Sequence, residues 1–241
     1  MTVILCENFD INRLTFSEMD FNNCYNSNQG ISFPNYDDKP FIFQTSAIKI
    51  FKFGMPLSKD ENERSRFYLK LHLDKEQPAC SDLEKMLTQI DHNISTNKDK
   101  YLGILQKNTK YCPAIRIQNE EKYSFIDSEE ERVEVDPVQH KYCKFKFHLN
   151  ILNGENETSI FIKENDKICK LELKTMQEVE KYLRYKSEFR AIVHMNKLWI
   201  NKNKNDEGLR EYGITMKLLS LEIKPFTRLR LHDIFQEYKF V

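Results

Sequence analysis

The stretch YCKFKFHL, residues 142–149, alternates without a break between polar and apolar side chains. Tyr142, Lys144, Lys146 and His148 fall on one side of an extended chain, and Cys143, Phe145, Phe147 and Leu149 on the other. A helix would scatter the two sets around its axis. A strand separates them, with one face in a core and one in solvent. The same period returns in SRFYLKLHLD (65–74), where Phe67, Leu69, Leu71 and Leu73 alternate with Tyr68, Lys70 and His72. It marks TSIFIKEND (158–166) and KICKLELKT (167–175) as well. SEFRAIVHMNKLWI (187–200) and YGITMKLLSLEIK (212–224) read as two longer strands around the loop 201–211. A chain patterned this way is a β-rich α+β protein.

Helices are inserted among the strands. SDLEKMLTQIDHNI (81–94) keeps Leu83, Met86, Leu87, Ile90 and Ile94 on one face, and Ser81 with Glu84 forms a capping box at its start. Thr175 with Glu178 forms a second box before a short helix ending near Leu183. The tail LRLHDIFQEYKF (229–240) suits a third, with Leu231, Ile234, Phe235 and Tyr238 on one face. Upstream, FIFQTSAIKIFKFG (41–54) predicts two strands with a turn at Thr45–Ser46 and a stop at Gly54. Two further strands are expected near Val3–Leu5 and Ile31–Phe33, and another over 107–118. Roughly nine short strands, joined by turns suited to antiparallel pairing, point to a barrel or sandwich.

The 241 residues carry no net charge, but the charge is divided. Residues 1–137 hold 17 basic and 23 acidic side chains, and residues 138–241 hold 20 and 14. Residues 181–230 alone hold 12 basic and 5 acidic, a local excess that suits an anionic partner. Residues 118–136, with eight acidic and two basic groups, read as an exposed loop. The start MTVILCENFD has no basic region or long apolar run, so no signal peptide is expected. No apolar stretch is long enough to span a bilayer, so no membrane partner is expected. Six cysteines without a C-x-x-C pair read as free thiols in a reducing compartment, and the expected location is intracellular.

No Gly-rich phosphate loop, nucleophile elbow or H-E-x-x-H motif occurs, and no cofactor is expected. Two E-x-K triplets, Glu172–Lys174 and Glu222–Lys224, are the weak trace of a metal-dependent nuclease. Alternation in a Lys- and Glu-rich chain also produces such triplets by chance. His140, Cys143 and His148 match no standard zinc spacing.

Binding of single-stranded nucleic acid needs cations for phosphates and flat aromatic faces for bases. The chain from Arg116 onward supplies both. Arg116, Lys144, Lys146, Arg184, Arg190, Lys197, Lys202, Lys204 and Lys217 are the candidate phosphate contacts. Tyr142, Tyr185, Trp199 and Tyr212 are the candidate stacking residues. Trp199, the single tryptophan, is equally readable as a core anchor. A protein-interaction module of a viral assembly, without nucleic-acid binding, is the competing reading.

These residues carry a resemblance. Lys197-Leu198-Trp199, a polar loop, and Tyr212-Gly213-Ile214-Thr215-Met216-Lys217 resemble the C-terminal signature of the single-stranded-DNA-binding proteins of nucleocytoplasmic large DNA viruses. Gln44, Thr45, Phe53 and Gly54 match an upstream element of that family, with Ser46 where proline is common. Tyr111, Pro113, Ile115 and Arg116 match a third. The matches run in order across about residues 41–225. The resemblance implies an OB-like antiparallel β-barrel core with inserted helices, flanked by an N-terminal extension (1–40) and a C-terminal tail (226–241), in one nucleic-acid-binding domain. It implies no catalysis. Single-stranded DNA, or RNA, and viral replication proteins would be its partners, at the site of viral replication in host cytoplasm or nucleus.

Overall fold

The computed structural model describes residues 2–22, 28–54, 68–120, 138–147, 149–150, 155–156, 158–164, 167–172 and 176–226. Its spine is a long antiparallel hairpin. The strands that figure below, in chain order, are β1 (Gln29–Ser32), β2 (Ile42–Gln44), β3 (Ile48–Lys49), β4 (Phe53–Gly54), β5 (Tyr68–His72), β6 (Thr109–Cys112), β7 (Arg116–Glu120), β8 (Val138–Lys146), β9 (Ser159–Glu164) and β10 (Lys167–Leu171), followed by the hairpin itself, β11 (Glu188–Asn201) and β12 (Arg210–Lys224). The helices α1 (Pro78–Thr96) and α2 (Met176–Tyr182) interrupt them.

Alternation builds the hairpin. Phe189, Ala191, Val193 and Met195 are buried, and so, after an irregularity at Met195/Lys197, are Leu198 and Ile200. Asn196 is the extra residue, and it keeps the apolar set inward along a 14-residue strand. The connection is closed by the Asn205 carboxamide, whose Oδ1 accepts from the Glu207 amide at 3.1 Å and the Leu209 amide at 3.0 Å. Gly208 supplies the positive φ that this turn requires.

Shorter strands line both edges of the hairpin. β1, β2 and β3 pair antiparallel along β11. Along β12 lie β6, β8 and β9, all three parallel to it. The sheet continues through β8 to β5 and β4, and through β9 to β10. Among the described residues it has 13 strands and curls into a half-barrel. Two expectations are corrected here. The sheet is mixed rather than antiparallel, because segments far apart in the chain share one edge of β12. The barrel is not closed: among the described residues the strand path runs from Ile4–Leu5 to β4 without joining its ends.

The inner face packs on α1 through Leu83, Met86, Leu87, Ile90 and Ile94, each at most 1% exposed. Each such side chain contributes about 1.5–3 kcal/mol when withdrawn from water. The helix starts at Pro78, earlier than the Ser81–Glu84 box predicts. Proline fits the first turn because its missing amide would lack a partner there. Glu84 turns away from the helix start and pairs with Lys141 of β8. The first forty residues join the same sheet: Ile4–Leu5 pairs with β2, and β1 with the end of β11. Thr175, residues 121–137 and the expected C-terminal helix lie outside the described residues. No described helix is long and apolar enough to cross a membrane.

Candidate nucleic-acid interface

The outer face of the sheet is assembled by register. Lys146 of β8 stands opposite Tyr68 of β5 on one side and Lys217 of β12 on the other. Lys217 in turn stands opposite His194 of β11. A row Tyr68–Lys146–Lys217–His194 therefore crosses four strands. Lys144 faces Lys70, and Tyr142 faces His72 and Arg116. Lys197 and Trp199 continue the outer side of β11 toward the hairpin loop.

Like charges crowd this face. The Lys197 ammonium is held below its ordinary value by burial and by Lys146 and Lys217. Burial and Arg116 act on Lys144 in the same sense, burial and Lys144 on Lys70, and burial and Lys217 on His194. Partly desolvated cations beside one another gain more from a bound anion than solvated ones do. Aromatic rings lie among them. Lys70 Nζ sits 4.2 Å from the Tyr142 ring centroid, and Lys144 Nζ 5.7 Å from that of Tyr68. Gln29 orients Lys197 by accepting from its Nζ at 2.9 Å.

Trp199 is half-buried on the outer side of β11, between Ile31 and Gly213. Its Cζ2 would lie 3.4 Å from a β-carbon on Gly213, so the indole lies across the glycine. Neither a core anchor nor a fully open ring, it keeps part of its surface on the face that carries Lys197.

The remaining expected contacts are distributed as follows. Lys202 and Lys204 belong to the hairpin loop beyond Trp199, where the Lys202 amide donates to the Asn28 carbonyl at 2.9 Å. Arg184 and Tyr185 are exposed at the opposite end of β11, in the turn that precedes it. Arg190 points outward, but its guanidinium grips Glu222 with both oxygens, Nη2 lying 2.7 and 2.8 Å from them. Tyr212 is a correction. At 3% exposure it points inward, its ring 5.0 Å from that of Tyr111, and no base can stack on it. Gly213 holds the outward position in its place.

Tyr68, Lys70 and His194 join this face without being candidates in the sequence. The alternation of SRFYLKLHLD does put Tyr68 and Lys70 on a polar side, but nothing in the sequence pairs that segment with residues 142–146. Of the two E-x-K triplets, the first runs out of the described residues after Glu172, and the second has its carboxylate on Arg190. Cys143 is buried in the core while His140 belongs to the opposite side of β8, so the two cannot share a metal. His148 lies outside the described residues.

No family model matches this chain. It is 24% identical over 208 residues to the uncharacterized protein R505 of Acanthamoeba polyphaga mimivirus. That match covers 76% of this chain and 51% of the relative, so the chain spans about half the length of the curated protein it resembles. Among solved structures it is similar to gp2.5, a single-stranded DNA binding protein encoded by bacteriophage T7. There the TM-score is 0.38 and the identity 11%, over 83% of this chain and 96% of the other.

Proposed function

We propose that this chain binds single-stranded DNA without strong sequence preference, as one domain, through the outer face of its curled sheet. The row Tyr68–Lys146–Lys217–His194, flanked by Lys70, Arg116, Lys144, Lys197 and Trp199, is the observation that supports it. Cations at successive strand positions suit a phosphate backbone lying across the sheet. Interleaved Tyr68, Tyr142 and Trp199 suit unpaired bases, whose faces are free to stack. A duplex hides those faces. The viral source of the matched relative fits a role on strands exposed during replication or repair of viral DNA. Binding, not catalysis, is the activity in this reading.

Titration with oligo-dT, followed by anisotropy and by Trp199 emission at two salt concentrations, tests it. Binding should weaken steeply with salt and quench the emission. Replacing Lys146, Lys197 and Lys217 together by alanine should flatten the log–log salt slope by about 2, since each phosphate contact on a single strand contributes about 0.7. Salt-insensitive binding, or a triple variant that binds like the wild type, would sink the reading.

A further inference from the structure

We propose a second base-stacking station for the same strand, at the turn Arg184–Ser187 with Phe51 and Phe226 beside it. This rests on the single-strand reading above, and adds a site to it.

Three aromatic side chains stand open together here. Tyr185 is 61% exposed, Phe226 50% and Phe51 40%. Phe51 and Tyr185 meet edge to face with centroids 6.2 Å apart. Lys186 joins them to the third ring, its Nζ lying 5.5 Å from the Tyr185 centroid and 5.6 Å from that of Phe226. Aromatic side chains normally hide their area in a core. A cluster of them left in water around one ammonium is a surface shaped for a flat, electron-rich partner.

The turn is held rigidly. The Ser187 amide donates to the Arg184 carbonyl at 2.9 Å, and the Ser187 hydroxyl donates to that same carbonyl. The Lys186 amide donates to Ile50 at 2.7 Å, and the Ile50 amide to Ser187 at 3.0 Å. Lys186 adopts φ +68°, a backbone region that glycine or asparagine occupies at less cost. The turn thus carries a lysine where the backbone favours glycine, and the strained residue is the one that places a cation between two rings.

Charge selects the occupant. Arg184 and Lys186 are exposed in the turn itself, and the exposed Lys224 stands opposite the half-buried Glu188 at the start of β11. Flat faces combined with cations fit a nucleotide, with the base on the rings and the phosphate on Lys186 and Arg184. The patch lies at the start of β11 and Trp199 near its end, so the two stations are about 35 Å apart at the usual strand rise. A short oligonucleotide reaches one of them. A longer one reaches both, and gains affinity as the second contact becomes intramolecular.

The test is a series of oligo-dT lengths from about 4 to about 30 nucleotides, bracketing the ~4–16 that one such domain engages. The variant combines Tyr185→Ala with Lys186→Gly. The glycine relieves the positive φ, so this change removes the cation without opposing the fold. Affinity for the longest oligonucleotide should fall about tenfold, the effect of losing one stacked base and one phosphate contact. Affinity for the shortest oligonucleotide that binds the wild type, and its quenching of Trp199, should not change. Equal affinity of variant and wild type for the long oligonucleotide would overturn the second station and leave the main reading standing, with an acidic peptide as the next candidate occupant. Equal losses at every length would overturn it as a separate station. Failure of the wild type to bind any length at low salt would remove both proposals.

Discussion

A β-carbon built on Gly213 would sit 2.6 Å from the Cys112 carbonyl oxygen, in the neighbouring strand, and 3.4 Å from Cζ2 of Trp199. The backbone atom cannot yield without parting β6 from β12, to which it is paired at this residue. Gly213→Ala is therefore expected to cost about 1–3 kcal/mol, the usual range for forcing extra volume into a packed site. Urea denaturation checks it, and an unchanged midpoint would refute it. Residue identity set much of this neighbourhood in advance. Alternation placed Tyr142, Lys144 and Lys146 together, and register confirms that they share a side. It failed at Tyr212, because a tyrosine beside a polar loop reads equally well as inward or outward. Only the pairing of Trp199 with Gly213 decides the direction.

Among the elements, α1 does more than fill the core. Asp91, on its surface, accepts from the Tyr111 hydroxyl at 2.6 Å, the Ala114 amide at 2.9 Å and the Ile115 amide at 3.1 Å. One carboxylate thus ties the end of β6 to the start of β7 and fixes the backbone that presents Arg116. The Tyr-x-Pro-x-Ile-Arg segment singled out in the sequence has this physical content: its tyrosine and its two amides converge on a helix. The helix face was legible from its apolar spacing, whereas its partner Asp91 was not, since a carboxylate is ordinarily a surface group. Burial holds the Asp91 carboxyl above its ordinary range, and its three donors oppose that shift without cancelling it. The folded state therefore takes up this proton at higher pH than the unfolded chain. The stability so gained is complete below the unfolded value of about 3.9 and is lost as the pH rises through the folded value. In thermal melts the wild type should gain on Asp91→Asn as the pH is lowered from neutrality toward about 4. A constant difference between the two would refute the assignment. Asp91→Ala, which strands three donors, should cost at least about 2 kcal/mol at neutral pH.

Over the whole molecule the net charge is zero, yet the outer face concentrates cations. The Arg190–Glu222 pair stands on the same hairpin and holds one further cation in check. With side chains 42% and 22% exposed, the pair adds little to stability, at most about 1 kcal/mol. Glu222→Gln should therefore leave the melting temperature nearly unchanged while releasing Arg190 to phosphate. Oligo-dT affinity should rise a few-fold and the salt slope steepen by about 0.7. Loss of affinity would show that Glu222 positions Arg190 rather than restrains it. The sequence announced a β-rich chain with a basic C-terminal half, but not which segments would lie side by side. Parallel pairing along β12 joins stretches with no local signal of their meeting, and the open, mixed sheet follows from that.

The row Tyr68–Lys146–Lys217–His194 draws each of its members from a different strand. No peptide cut from this chain contains it. Overlapping fragments on an array would sample isolated lysines and miss the arrangement, and a linear epitope against any one strand would block only part of it. The property belongs to the folded surface in the way a conformational epitope does, and it disappears with the register that makes it.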